Sequence, residues 1–116
     1  MSEKLDKGKL GEEYAADFLV RKGYTVLDRN FTSLNSEIDL IVQKGDLLVF
    51  VEVRVKANAD YGFPETTLTR AKINAIKRGA ARYLWNKPKP ARVRFDMISI
   101  VEYPVFEIVH FEDAFY

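Results

Sequence analysis

The apolar positions along the chain change period several times, and each change marks an element. From about Lys7 to Lys22 they recur at helical spacing, with Leu10, Tyr14, Ala15, Phe18 and Leu19 on one side and Glu13 and Asp17 on the other. Gly23 closes that helix. A short strand follows from Tyr24 to Asn30, then a second from Ser36 to Gln43, whose alternation puts Ile38, Leu40 and Val42 on one face. The strongest strand signal runs from Leu47 to Val55: Val49, Val51, Val53 and Val55 alternate with Leu48, Phe50, Glu52 and Arg54, and the valine face reads as buried. Periodicity is lost from Ala57 to Pro64, which reads as a loop. Thr67 or Thr69 caps a second helix reaching about Trp85, with Ile73, Ile76, Ala80, Tyr83 and Leu84 as its apolar stripe; Pro88 and Pro90 stop it. Val93 to Val101 and Val105 to Phe111 form two last strands, joined as a hairpin near Tyr103 and Pro104.

The order α-β-β-β-α-β-β predicts an α/β fold with a central mixed sheet flanked by helices. With 116 residues the chain makes one domain, 1–116, since it is too short for two cores. Any active site must be built on that core.

The turn between the second and third predicted strands sets their register. Gly45-Asp46 suits a two-residue type II′ hairpin, which pairs Lys44 with Leu47 and places Asp39 opposite Glu52 and Glu37 opposite Arg54, all four on one sheet face. Facing carboxylates repel unless a cation sits between them. A turn of another length would break the match, and a salt-bridge cluster with Arg54 would satisfy the acids without metal. Glu12 falls in line with Ala15, Ala16 and Leu19 on the inward side of the first helix and needs a partner there, whereas Glu13 reads as solvent-exposed. Lys72 borders the apolar stripe of the second helix; Arg78 and Arg82 point away from it.

Composition narrows the chemistry further. There is no cysteine and one histidine, His110, which excludes thiolate sites and argues against zinc hydrolases and nucleophile triads. What remains is carboxylate ligation of a hard cation, magnesium or manganese. The missing cysteines point to a reducing cytoplasm, and no apolar run approaches the roughly 20 residues of a membrane span. Net charge is only +1, yet nine basic residues and no acid lie between Arg70 and Arg94, leaving −8 on the rest of the chain. A basic block beside clustered acids suits a protein acting on a phosphodiester backbone, although such a run also reads as a solvated helix face.

These residues as an ordered set resemble the YraN family of small bacterial proteins, which are predicted endonucleases of the PD-(D/E)XK, restriction-endonuclease-like fold and are similar to archaeal Holliday-junction resolvases. The resemblance runs through Gly11-Glu12, Gly23-Tyr24, Arg29-Asn30, Glu37-Ile38-Asp39-Leu40-Ile41, Val49-Phe50-Val51-Glu52-Val53, Lys72, Arg94-Phe95-Asp96 and Asp113-Ala114-Phe115. It implies that Asp39 and Glu52 hold magnesium or manganese with help from Glu12, in a metal-dependent DNA endonuclease. Two positions depart from the family pattern. Ser36 stands where a glycine is usual before Glu-Ile-Asp, and Arg54 where the lysine of the Glu-X-Lys element is usual.

Arginine stays protonated and cannot deprotonate water, but it can stabilise charge on a phosphate in the transition state. Lys56 lies on the same strand face about 6.8 Å further along, within reach only through its flexible stem. Arg70, Lys72, Lys77 and Arg78, with Lys56, are the expected DNA contacts. Backbone contacts of that kind favour a branched or single-stranded substrate over a short sequence site. A homodimer would suit a two-stranded substrate. A nucleic-acid-binding module without turnover is the competing expectation, and an interaction role for Tyr61, Phe63 and Trp85 is a third, against ordinary packing of those rings.

Overall fold

The computed structural model describes residues 3–58 and 68–114. Seven elements follow in the predicted order: α1 Glu3–Arg21, β1 Thr25–Ser33, β2 Ser36–Lys44, β3 Leu47–Asn58, α2 Arg70–Leu84, β4 Arg92–Tyr103 and β5 Glu107–Phe111. Ala57 and Asn58 continue β3 rather than open the predicted loop. The rest of that loop, with Tyr61, Phe63 and the cap candidate Thr67, lies outside the described residues. Thr69 caps α2, its hydroxyl accepting the Lys72 N–H at 3.1 Å.

The strands form one mixed sheet in the order β1-β2-β3-β4-β5. Only β3 and β4 run parallel, and α2 supplies the crossover that a parallel pair requires. The α/β layout expected from the sequence, a mixed sheet with helices on its faces, is therefore the one observed.

The two faces carry separate cores. Val49 and Val51 pack with Ala15, Ala16 and Leu19 of α1, while Leu48 and Phe50 pack with Ile76, Ala80 and Tyr83 of α2. Burying each large apolar side chain contributes roughly 1.5–3 kcal/mol, which fixes β3 between the helices. The stripe of α1 differs from expectation. Leu10 and Tyr14 are 50% and 41% exposed, and the buried positions are Gly11, Ala15, Ala16 and Leu19. Small residues bring the helix close to the sheet, and Tyr14 instead packs edge-on against Phe106 at 5.0 Å.

A second difference bears on the site. Ile38 packs on the α2 side with Ile41, whereas Leu40 and Val42 pack on the α1 side, so the three do not share a face. The cause is on the neighbouring strand: Asn30 takes a left-handed φ of +50°, between the pairs Arg29↔Leu40 and Phe31↔Ile38. Asparagine tolerates that conformation better than most side chains. Both strands reverse their faces at this step while their pairing stays in register.

Candidate metal centre

Gly45, at φ +60°, makes the turn between β2 and β3, and Asp46 is not among the residues of positive φ, as a type II′ turn requires. The pairs run from Lys44↔Leu47 to Leu40↔Val51, in the predicted register. There the recorded pairing ends. One step further on, the Val53 N–H donates to Asp39 Oδ2 at 2.8 Å, a side-chain oxygen serving as acceptor. Asp39 is thus held at a split between the two central strands, one pair beyond the end of the ladder, where Glu52 follows Val51.

Glu52 projects to the α2 side and is 6% exposed. Arg54 Nε donates to its Oε2 at 3.0 Å, and Lys72 Nζ, from the first turn of α2, lies 3.9 Å from the same oxygen. Glu12 reaches the split from α1, where Asn30 Nδ2 donates to its Oε1 at 3.0 Å and to Glu37 Oε2 at 3.4 Å. Glu37 is therefore on the Glu12 side, not beside Glu52 and Arg54 as the simple alternation predicted, because of the reversal at Asn30. Glu13 is exposed and pairs with Arg29 at 2.8 Å.

Charge at this point is unbalanced. Burial pushes the Asp39 carboxyl up to about 7, and the nearby Glu52 adds to the shift; the Val53 N–H opposes it, and Glu12 and Glu37 raise it again. The donors are all oxygen, which fits magnesium or manganese in chemistry. Asp39 and Glu52 are the carboxylates that could hold such an ion, with Glu12 on the far side of the split. Among the described residues no three acidic or imidazole side chains yet converge on one point, and Arg54 engages the Glu52 oxygen.

The basic block divides into two groups. Arg92 pairs with Asp46 and Arg94 with Asp96, each at 2.8 Å, so these charges are neutralised within the fold. Lys77 lies over the Phe95 ring and Lys87 over Tyr83, at 5.9 and 4.1 Å from the ring centres. Arg70 is exposed at the start of α2, and Lys56 follows Arg54 along the same face of β3. Arg78 and Arg82 are exposed and line one groove with Trp85, which is 78% exposed and not packed in the ordinary way.

One acid cluster was not anticipated. Asp96, fully buried on β4, takes both arms of Arg94 at 2.8 Å, His110 Nε2 at 2.8 Å and the Asp113 N–H at 3.0 Å. Arg94 also donates to the Tyr24 hydroxyl at 2.7 Å, and Lys22 Nζ sits 2.7 Å from His110 Nδ1. A lysine ammonium has only protons to give, so Nδ1 accepts and the Nε2–H faces Asp96. Burial alone would raise the Asp96 pKa, but the hydrogen bonds from His110, Arg94 and Asp113 outweigh it and lower the value. The sequence signal was there in Arg94-x-Asp96, since residues two apart on a strand share a face. Ser36 likewise has a structural role: its hydroxyl donates to the Ala75 carbonyl of α2 at 2.6 Å, in space that a side chain on Gly79 would take.

Comparison with known proteins places this arrangement in a family. Residues 11–100 match the profile described as uncharacterised protein family UPF0102. A UPF0102 protein of Flavobacterium psychrophilum is 40% identical over 117 aligned positions, covering 100% of this chain and 98% of its own. One from Dictyoglomus thermophilum is 44% identical over 81% of this chain and 80% of its own, and one from Persephonella marina 42% over 94% and 92%. With the match spanning most of the chain, and α2 and the strands β1 to β3 wholly inside it, this protein belongs to the UPF0102 family, the YraN family of the sequence resemblance.

Proposed function

We propose that this protein is a metal-dependent DNA endonuclease that hydrolyses phosphodiesters in branched or single-stranded DNA. The observation that carries the reading is Asp39: a carboxyl at a split in the sheet, pushed up to about 7 by burial and by Glu52, with Glu12 and Glu37 adding to the effect. Such a cluster costs stability unless a cation is bound, which is what a cation-binding function would supply.

Asp39 and Glu52 would hold the ion, and Glu12 would act from the α1 side. Magnesium or manganese supplies, when bound, positive charge that polarises a phosphate oxygen and activates water. Arg54 and Lys72, both in contact with Glu52, would move onto the phosphate as its charge develops. Arg54 cannot act as a base, so proton removal falls to a carboxylate or to the solvent. No described helix is long and apolar enough to cross a membrane. A reducing cytoplasmic setting and a homodimer on a two-stranded substrate are part of the same proposal.

The test is cleavage of labelled junction, flap, single-stranded and duplex DNA with magnesium or manganese, comparing the wild type with Glu52→Ala. Cleavage that requires metal and disappears in the variant is the expected result. Intact DNA across all substrates overturns it. The second reading, a nucleic-acid-binding module without turnover, is favoured by one contact: the Arg54–Glu52 hydrogen bond engages an oxygen the ion would use. It predicts binding unchanged by chelator.

A further inference from the structure

The C-terminal end of α2 has a different character from the carboxylate split. Trp85, the only tryptophan in the chain, caps the helix with its ring 78% exposed. Grooves open on both sides of it. One, of about 410 Å³, is walled by Leu34, Arg78 and Arg82; the other, of about 440 Å³, by Leu84, Lys89 and Pro90. Both volumes fall within the roughly 300–1,000 Å³ typical of small-ligand sites. Leu34, in the turn between β1 and β2, is 91% exposed, so two large apolar side chains stand open along the same groove.

Charge selects the occupant. No acid lines either groove, and Arg78, Arg82 and Lys89 have no ion-pair partner among the described residues. That contrasts with Arg92 and Arg94 of the same basic block, which are both paired. An exposed indole with two unneutralised guanidinium groups along one side and the Lys89 ammonium along the other matches the requirements of a single strand: a π face for a base and cations for its phosphates. A duplex keeps its bases stacked inside and cannot use the ring.

We propose that this end of α2 is a stacking platform for single-stranded nucleic acid, with Trp85 beneath a base and Arg78 and Arg82 on the phosphates that follow along the helix to one side of it. It goes beyond the cleavage reading and does not rest on it. Thirteen residue steps separate Trp85 from Lys72, about 20 Å at 1.5 Å per residue, so the two are separate sites on one helix. A strand lying along α2 could occupy both.

The experiment uses the sole tryptophan as its reporter. The full chain is titrated with oligothymidylate of about a dozen nucleotides, a length within single-strand site sizes, in chelator and low salt. Trp85 emission and the anisotropy of a labelled oligomer are read together. A saturable quench tracking the anisotropy is expected. Trp85→Ala should weaken binding about tenfold and Trp85→Phe much less, because phenylalanine retains a stacking face. Removing both Arg78 and Arg82 should flatten the slope of log K against log salt by about 1.4, at about 0.7 per phosphate contact.

Oligomer bound with Trp85 emission unchanged and full affinity in Trp85→Ala overturns the proposal. So does the absence of binding at low salt, or a concentration-dependent blue shift without oligomer, which would mean that a second copy covers the ring. Because chelator is present and no cleavage is read, an inactive centre leaves this result intact, and a silent Trp85 leaves the cleavage reading intact.

Discussion

Two aspartates, the half-buried Asp39 and the fully buried Asp96, sit on strands of the same sheet and have opposite surroundings. Asp96 is enclosed by donors: Arg94 on both oxygens, His110 and the Asp113 N–H. Among the described residues Asp39 has one donor, the Val53 N–H, and acids on either side. The first carboxyl is lowered and the second raised, although burial pushes both upward. What separates them is therefore the sign of the neighbouring charge. A buried acid surrounded by cations and donors ties the fold together; one surrounded by acids weakens it and leaves room for a ligand of positive charge.

The largest expected effect is at the satisfied site. Asp96→Ala removes the buried acceptor shared by Arg94, His110 and the Asp113 N–H and should cost about 3–5 kcal/mol in urea unfolding. A loss under about 1 kcal/mol would show the network to be dispensable and end the contrast. Acid should act in the same direction: stability from Asp96 is present above its unfolded pKa and is lost as pH falls below it.

Asp39→Asn should do the opposite. A raised folded pKa means that Asp39 contributes stability fully below about pH 4 and loses it as pH rises toward 7. At pH 8 the variant, uncharged and still able to accept from Val53, should be more stable than the wild type by about 1–3 kcal/mol, with the difference gone at pH 4. Equal stability at both pH values would mean the repulsion is relieved without a ligand.

Millimolar manganese should then stabilise the wild type by about 1–3 kcal/mol, the linkage expected from about ten to a hundred times Kd, and leave Asp39→Asn nearly unmoved. Matching shifts in the two proteins would place the ion elsewhere. The smallest effect is a titration: the carbon resonance of the Asp39 carboxyl should move with a midpoint near 7. Glu52→Gln should lower that midpoint more than Glu12→Gln does, since Glu52 is the stronger of the two influences. The reverse order would put Glu12 closer to the centre of the chemistry.

Much of this could be read from local patterns. Strict alternation in β3 put Glu52 and Arg54 on the face opposite the valines, and the Gly45 turn gave the β2–β3 register. Both are short-range rules. The side reversal at Asn30 was not legible, because a left-handed φ at one non-glycine residue depends on its tertiary setting; hence Ile38 and Glu37 were assigned to the wrong faces. The α1 stripe was misjudged because Leu10 and Tyr14 outweigh Gly11 and Ala15 in any reading by hydrophobicity, while close helix packing favours the small residues. The Asp96 network joins Tyr24, Arg94, His110 and Asp113, and such distances along the chain leave no periodic trace. His110, set aside as a metal ligand, supports that buried aspartate instead.

The turn at Gly45 has a consequence for what changes the chain can tolerate. It is exposed and a side chain there would touch nothing, the kind of place where an extra residue is normally harmless. Yet it works as the zero mark of a ruler laid along β2 and β3. An inserted residue that slipped the pairing by one would carry Glu52 through the sheet to the α1 side and bring a valine to the place beside Asp39. Insertions should therefore be rarer at this open tip than its exposure suggests, unless a longer loop absorbs them and leaves the count between the strands unchanged.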